Sequence, residues 1–173
     1  YAYNDRGSAK RQLNQLDEAI EDYIKAVKIN PNMAFTFNNL GSIKKQQGKY
    51  EEAISFYNKA IDLKPDYYIA YNNRGSAKFD SGNYTEALAD FNEAIRIKPD
   101  YVFAYNNRGN AKYKLNMYNE SIEDYTRAIQ LDANYGFAYM NRGIVKEHLR
   151  DETGACEDWQ KAAELGIENA KVV

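Results

Sequence analysis

Tyr105-Asn106-Asn107-Arg108-Gly109 repeats a stretch already met as Tyr71-Asn72-Asn73-Arg74-Gly75, and Met140-Asn141-Arg142-Gly143 follows it. The glycines fix the interval. Gly7, Gly41, Gly75, Gly109 and Gly143 stand 34 residues apart. Five copies of this unit fill almost all of the 173 residues. Such a chain is a repeat array, in which each copy packs on its neighbours in place of one central core. Arrays of this kind bind through a long surface.

Setting the recurring glycine at repeat position 8 aligns the other columns. Position 4 is Tyr3, Phe37, Tyr71, Tyr105 and Tyr139. Position 20 is Ala19, Ala53, Ala87, Ser121 and Ala155, and position 24 is Tyr23, Tyr57, Phe91, Tyr125 and Trp159. Position 27 is Ala26, Ala60, Ala94, Ala128 and Ala162. Position 32 is Pro31, Pro65 and Pro99, then Ala133 and Ile167. This set of columns resembles the tetratricopeptide repeat over essentially the whole chain. The resemblance implies one array over residues 1–173, with repeats 1–33, 34–67, 68–101, 102–135 and 136–169, and a further helix starting at 170–173. It implies an all-α, right-handed superhelical solenoid of five helix-turn-helix hairpins.

Periodicity agrees. Positions 20, 21, 24, 27 and 28 line one face of a helix. First helices are expected at 2–13, 34–47, 68–81, 102–115 and 136–149. Second helices are expected at 17–30, 51–64, 85–98, 119–131 and 153–165. Glycine inside a helix costs roughly 1 kcal/mol against alanine, so its return needs a steric reason. The expected reason is close approach to the alanines of positions 20 and 27. Position 15 holds Asn14, Gly48, Gly82 and Asn116, residues that tolerate a left-handed C-cap, with Arg150 as the exception. Position 33 holds Asn32, Asp66, Asp100 and Asn134, expected as N-caps of the following first helices.

The composition excludes several classes of function. Net charge is −2 and pI about 5.6, so no basic field favours nucleic acid. No run of 18 apolar residues is present, so no membrane span is expected. Sixteen tyrosines follow from fixed repeat positions. One cysteine allows no internal disulfide. The chain opens at Tyr1, inside a repeat and without Met, and reads as a fragment whose ends expose apolar surface. Its compartment is not legible.

Two columns covary within the chain itself. Position 7 is Arg6, Leu40, Arg74, Arg108 and Arg142, where the family pattern has Leu. Position 23 is Asp22, Phe56, Asp90, Asp124 and Asp158. Arg occurs with Asp, and the one Leu occurs with Phe. The pair therefore belongs within a repeat and is expected to hold its two helices in register, the alternative being that these arginines read an acidic ligand. Position 11 is Lys10, Lys44, Lys78, Lys112 and Lys146, a choice that the sequence leaves unexplained.

The resemblance also says where such arrays bind: along a concave groove lined by first helices, through positions 2, 5, 6, 9, 12 and 13. Position 6 is Asp5, Asn39, Asn73, Asn107 and Asn141, and position 5 is Asn4, Asn38, Asn72, Asn106 and Met140. Position 2 is Tyr1, Phe35, Ile69, Phe103 and Phe137. An asparagine amide both donates and accepts, so it can bond a peptide group through its N–H and its C=O. This column is similar to the asparagine ladder in the superhelical domain of O-linked N-acetylglucosamine transferase, which holds extended peptides. Peptide-binding candidates are Asn39, Asn73, Asn107 and Asn141, with Asn38, Asn72, Asn106, Phe35, Phe103 and Phe137. The alternative is that the asparagines bond neighbouring helices and build the superhelix. The carboxylate clamp of tetratricopeptide co-chaperones is absent, because position 5 is never Lys and position 6 never Arg.

Candidates for chemistry are few. His148 is the only histidine, with no second ligand at metal spacing, and reads as a solvated groove residue. Cys156 replaces Ile or Leu at position 21 and reads as a small core residue. Trp159 fills the aromatic position 24. No catalytic set, metal or cofactor is expected. The leading reading is a protein-interaction scaffold, not an enzyme, that binds an extended peptide segment. Its partners are other proteins or peptides, not nucleic acid or membrane. Two rivals stay open: self-assembly into a homo-oligomer through uncapped ends, and recruitment of substrate for a larger enzyme.

Overall fold

The structure, a computed structural model, describes residues 2–168. Tyr1 and the start of a further helix at Ala170 lie outside the described residues. Among the described residues there are ten helices and no strand. First helices are α1 (Ala2–Gln12), α3 (Ala34–Gln46), α5 (Tyr68–Asp80), α7 (Val102–Lys114) and α9 (Gly136–His148). Second helices are α2 (Leu16–Ile29), α4 (Tyr50–Leu63), α6 (Tyr84–Ile97), α8 (Tyr118–Leu131) and α10 (Glu152–Glu164). First helices end one residue sooner than expected. Second helices begin one residue sooner, because the residue after each tight turn already joins the helix.

The described residues form two compact units that divide between Asn83 and Tyr84. The first holds α1 to α5. In it Ala19, Tyr23, Leu40 and Ile43 form one buried cluster between α2 and α3. Ala34, Ala60, Ile61, Tyr67 and Ala70 form the next, with Phe37 and Tyr71 packed on it. The second unit holds α6 to α10. There Ala155, Trp159 and Ala162 are buried beneath Tyr139, Met140 and Ile167. Alanine at positions 20 and 27 is buried in every repeat, from Ala19 and Ala26 to Ala155 and Ala162, with Ser121 its buried stand-in.

The glycines do not serve those alanines chiefly. A methyl group on Gly109 would lie 2.7 Å from the Tyr125 ring, and one on Gly41 would lie 2.7 Å from the Tyr57 ring. On Gly143 it would meet Trp159 at 2.5 Å. The bulky side chain at position 24 lies across the first helix and leaves room for hydrogen alone. The expectation that the glycine faces alanine is corrected accordingly. Gly109→Ala should therefore destabilise the chain by about 1–3 kcal/mol through overpacking, although alanine is the better helix former. Urea denaturation followed by circular dichroism measures this. A gain in stability would show that Tyr125 can move aside.

Position 15 behaves as its residues require. Asn14, Asn116, Gly48 and Gly82 have φ of 59°, 60°, 73° and 89°. Arg150 takes φ 67° as well, so the turn imposes this conformation even on a residue for which it costs about 1 kcal/mol. The bond from Met117 N to Lys112 O, at 2.9 Å, closes the turn in Schellman fashion. The N-cap expectation is corrected. The caps are Met33, Tyr67, Tyr101 and Tyr135 at position 34, without side-chain bonds. Position 33 contributes its backbone instead: Asp66 O and Asn134 O accept from Tyr68 N and Gly136 N. The side-chain bonds in these loops come from position 31, where Asn30 and Asp132 accept from Asn32 N and Asn134 N.

Candidate functional site

The covarying columns meet as expected. Arg108 donates from Nε and Nη2 to Asp124 at 2.9 and 2.5 Å. Arg142 does so to Asp158 at 2.8 and 2.6 Å, and Arg6 to Asp22 at 2.7 and 2.6 Å. The geometry is the two-pronged guanidinium–carboxylate pair. The structure also explains the lysine column. Lys10, Lys112 and Lys146 reach the same carboxylates at 3.0, 2.8 and 2.9 Å. Each of these three buried aspartates thus carries two cations. Arg6 first and Lys10 after it hold the Asp22 carboxyl well below the usual carboxylate range. Repeat 2 lacks the aspartate, and there Lys44 turns to Glu52 at 2.7 Å.

The arginines also reach back one repeat. Arg108 Nη1 donates to Asn92 at 2.8 Å, Arg142 Nη1 to Thr126 at 3.0 Å and Arg74 Nη1 to Asn58 at 2.7 Å. Each of these acceptors holds position 25 of the preceding repeat. The guanidinium carbons of Arg108 and Arg142 lie 5.3 and 5.7 Å from the rings of Tyr105 and Tyr139 at position 4. The arginine column is therefore committed to holding helices together.

The asparagine columns divide by burial. Asn38, Asn72 and Asn106, at position 5, are 5–6% exposed. Asn39, Asn73, Asn107 and Asn141, at position 6, are half-buried. In the first unit Asn73 Nδ2 donates to Asn38 Oδ1 at 3.0 Å. In the second, Asn141 Nδ2 donates to Asn106 Oδ1 at 2.9 Å. At α1 and α3, Thr36 Oγ1 donates to Asn4 Oδ1 at 2.9 Å. One N–H of Asn73 and of Asn141 thus ties neighbouring first helices. Each amide also has a second N–H and a carbonyl oxygen that this bond does not use.

Beside Asn73 the first unit has a polar hollow of about 470 Å³, lined by Ser42, Lys45, Gln46, Tyr57, Asn73 and Asp80. Lys45 and Asp80 pair across it at 3.0 Å, and the Tyr57 hydroxyl donates to Ser42 Oγ at 3.4 Å. Burial pushes the pKa of the Tyr57 hydroxyl up to about 12. In the second unit Tyr125 donates to Asn110 at 2.7 Å. These hydroxyl bonds join position 24 to position 9, a contact that the Tyr and Ser/Asn columns contained and sequence reasoning did not draw.

Phe35, Phe103 and Phe137 are 54%, 50% and 50% exposed. They do not stand alone. Phe35 meets Tyr67 edge-on with centroids 5.0 Å apart. In the second unit Tyr101, Phe103, Tyr135 and Phe137 form a row with successive separations of 5.5, 5.4 and 5.9 Å. The tyrosine at position 34 thus backs the aromatic at position 2. The Tyr101–Phe103 and Tyr135–Phe137 contacts were readable as a Tyr-x-Phe spacing; Phe35–Tyr67 and Phe103–Tyr135, 32 residues apart, were not. His148 is exposed, and its ring lies 4.3 Å from that of Tyr118. Cys156 is exposed, which corrects its expected core role. Its counterpart Ile20 packs beside Leu40 and Ile43 of the following first helix, and no described helix follows α10. Among the described residues no group of His, Cys, Asp and Glu could hold a metal, and no helix is long and apolar enough to cross a membrane.

The repeats and the fold agree with known proteins. A family model described as TPR repeat matches residues 7–47, 41–79 and 75–116, and one described as tetratricopeptide repeat matches 102–135. A crystal structure of MamA is similar with 28% identity and TM-score 0.79, over 92% of this chain and 93% of that one. The first TPR of Spaghetti (RPAP3), bound to the HSP90 peptide SRMEEVD, is 32% identical over 68% of this chain and 93% of its own, with TM-score 0.66. YrrB, titled a TPR protein with an unusual peptide-binding site, shares the fold at 18% identity and TM-score 0.73, over 96% of this chain and 86% of that one. No curated protein sequence matches. Repeat length, columns, hairpins and family models converge: the chain belongs to the tetratricopeptide repeat family.

Proposed function

We propose that each unit binds an extended polypeptide segment along its first helices. Asn39 and Asn73 serve the first unit, and Asn107 and Asn141 the second. The observation that carries this reading is the amide geometry at position 6. Asn73 and Asn141 are each oriented by one bond to a buried asparagine, Asn38 or Asn106, and keep a donor and an acceptor for a ligand. Such preorganisation lowers the entropy that binding must overcome. Asn38 and Asn106 orient Asn73 and Asn141 from below, and Phe35, Phe103 and Phe137 supply apolar contact. Helices packed roughly 8–10 Å apart match about three residues of extended chain per rung.

The relatives fit this reading, since RPAP3 carries a bound peptide and YrrB is described by a peptide-binding site. The ligand class differs from a C-terminal carboxylate, because this chain lacks the lysine and arginine clamp. The activity is recognition of backbone, with no bond made or broken. A direct test uses a twelve-residue peptide selected on the chain from a random library. N-methylation of alternate backbone amides should weaken its binding roughly tenfold or more, because each lost rung is worth about 1 kcal/mol. If N-methylated and parent peptides bind alike, the backbone is not what the asparagines read.

A further inference from the structure

Repeats 2 and 4 place the same two rings together. Phe35 and Tyr67 meet at 5.0 Å and 71°, and Phe103 and Tyr135 at 5.4 Å and 80°. Both pairs hold repeat positions 2 and 34. In repeat 2 the pair has a cation of its own. The Lys64 ammonium lies 5.1 Å from the Phe35 centroid and 5.4 Å from that of Tyr67. A cation at this range over two rings is held by their quadrupoles.

Lys64 stands at position 31, the C-cap of α4. The matching residue of repeat 4 is Asp132, the C-cap of α8. Their backbones agree in conformation: φ −142° and ψ 87° for Lys64, φ −144° and ψ 100° for Asp132. An acid thus leaves the chain where the internal cation does in repeat 2. Asp132 Oδ1 accepts from Asn134 N at 2.9 Å, which leaves its other oxygen for a ligand. The carboxylate lies close enough to Tyr135 to raise its hydroxyl pKa, after burial, which acts first. Among the described residues no lysine or arginine lies over Phe103 or Tyr135.

We propose that Phe103, Tyr135 and Asp132 receive one basic side chain, Lys or Arg, from the bound segment. The rings take the place they have around Lys64, and Asp132 adds the countercharge. This inference rests on the proposed peptide function and adds a side-chain preference to it. Repeat 2 has no such preference, because Lys64 already fills its rings.

The experiment titrates the chain with n-butylammonium, the charged end of lysine alone, and separately with n-butanol. Aromatic NMR signals are followed. Phe103 and Tyr135 should shift saturably with the cation and several-fold less with the alcohol, while Phe35 and Tyr67 stay unmoved. Asp132→Lys gives repeat 4 the trio that repeat 2 already folds with, and it should abolish the response. An equal response to butanol, or an undiminished one in Asp132→Lys, overturns the proposal. In a random peptide library, binders of the wild type should carry a Lys or Arg and weaken roughly threefold to tenfold on Asp132→Lys. Binders that depend on the asparagines yet show no basic preference overturn this inference and leave the peptide reading standing. A library without asparagine-dependent binders removes the peptide reading, and the butylammonium titration then decides this site alone.

Discussion

Replacing Asp124 with alanine is expected to lower the stability of the chain by about 3 kcal/mol, the cost of leaving buried charge without its partner. Asp124 is 3% exposed and holds Arg108 and Lys112, whose side chains are only 20% and 14% exposed. Without the carboxylate two cations face each other in a poorly hydrated seam. Arg108→Leu should cost less, about 1 kcal/mol. Lys112 stays on Asp124 at 2.8 Å, so the aspartate is not orphaned, contrary to what the Arg–Asp pairing alone implies. The combination Arg108→Leu with Asp124→Phe copies Leu40 and Phe56 of repeat 2. It should recover part of the Asp124 loss, with Lys112 turning to Glu120 as Lys44 turns to Glu52. A double-mutant cycle in urea should give a coupling of about 0.5–2 kcal/mol. Strictly additive losses would mean that the two columns do not interact energetically.

The sequence carried this seam because the repeats act as their own alignment. Leu40 with Phe56 shows that the two positions change together, and that identifies a contact without coordinates. The lysine column never varies, so covariation was silent about it. Only geometry shows that Lys10, Lys112 and Lys146 share the aspartates of the arginines. The same limit explains the glycines. The glycine of position 8, the alanine of position 20 and the aromatic of position 24 are all near-constant. Their columns could not say which neighbour excludes a methyl group. The structure points to the ring of Tyr57, Tyr125 or Trp159.

Turn positions divide in the same way. Left-handed residues are legible, since Gly and Asn mark them chemically, and Arg150 follows because the preceding helix ends alike in each repeat. N-caps are not, because Asn32, Asp66, Asp100 and Asn134 have the right side chains one residue too early. Proline at position 32 leaves the chain in a turn that position 33 closes through its carbonyl. Cys156 misled for another reason: its burial depends on a following helix, and a repeat column says nothing about neighbours that the described residues lack. For the candidate site, the columns revealed which residues recur at one height. They did not reveal that position 5 lies under position 6, since both are asparagine and adjacent.

That layering sets what the asparagine mutant should do. Changing Asn39, Asn73, Asn107 and Asn141 together to alanine should weaken a selected extended peptide by roughly 1 kcal/mol per engaged rung, about thirtyfold where both rungs of a unit engage. Stability should fall too, because Asn38 and Asn106 lose the donors that reach them at 3.0 and 2.9 Å. The two effects separate with a control. Asn38→Ala with Asn106→Ala removes the same internal bonds from the other side and leaves the position 6 amides in place. It should reproduce the stability loss in urea while costing far less affinity by calorimetry. The backbone bonds carry no net charge, so their share of the affinity should change little with salt. If the four-alanine chain remains helical and holds the peptide as tightly as before, position 6 serves only to tie first helices together, and the peptide-binding proposal fails with it.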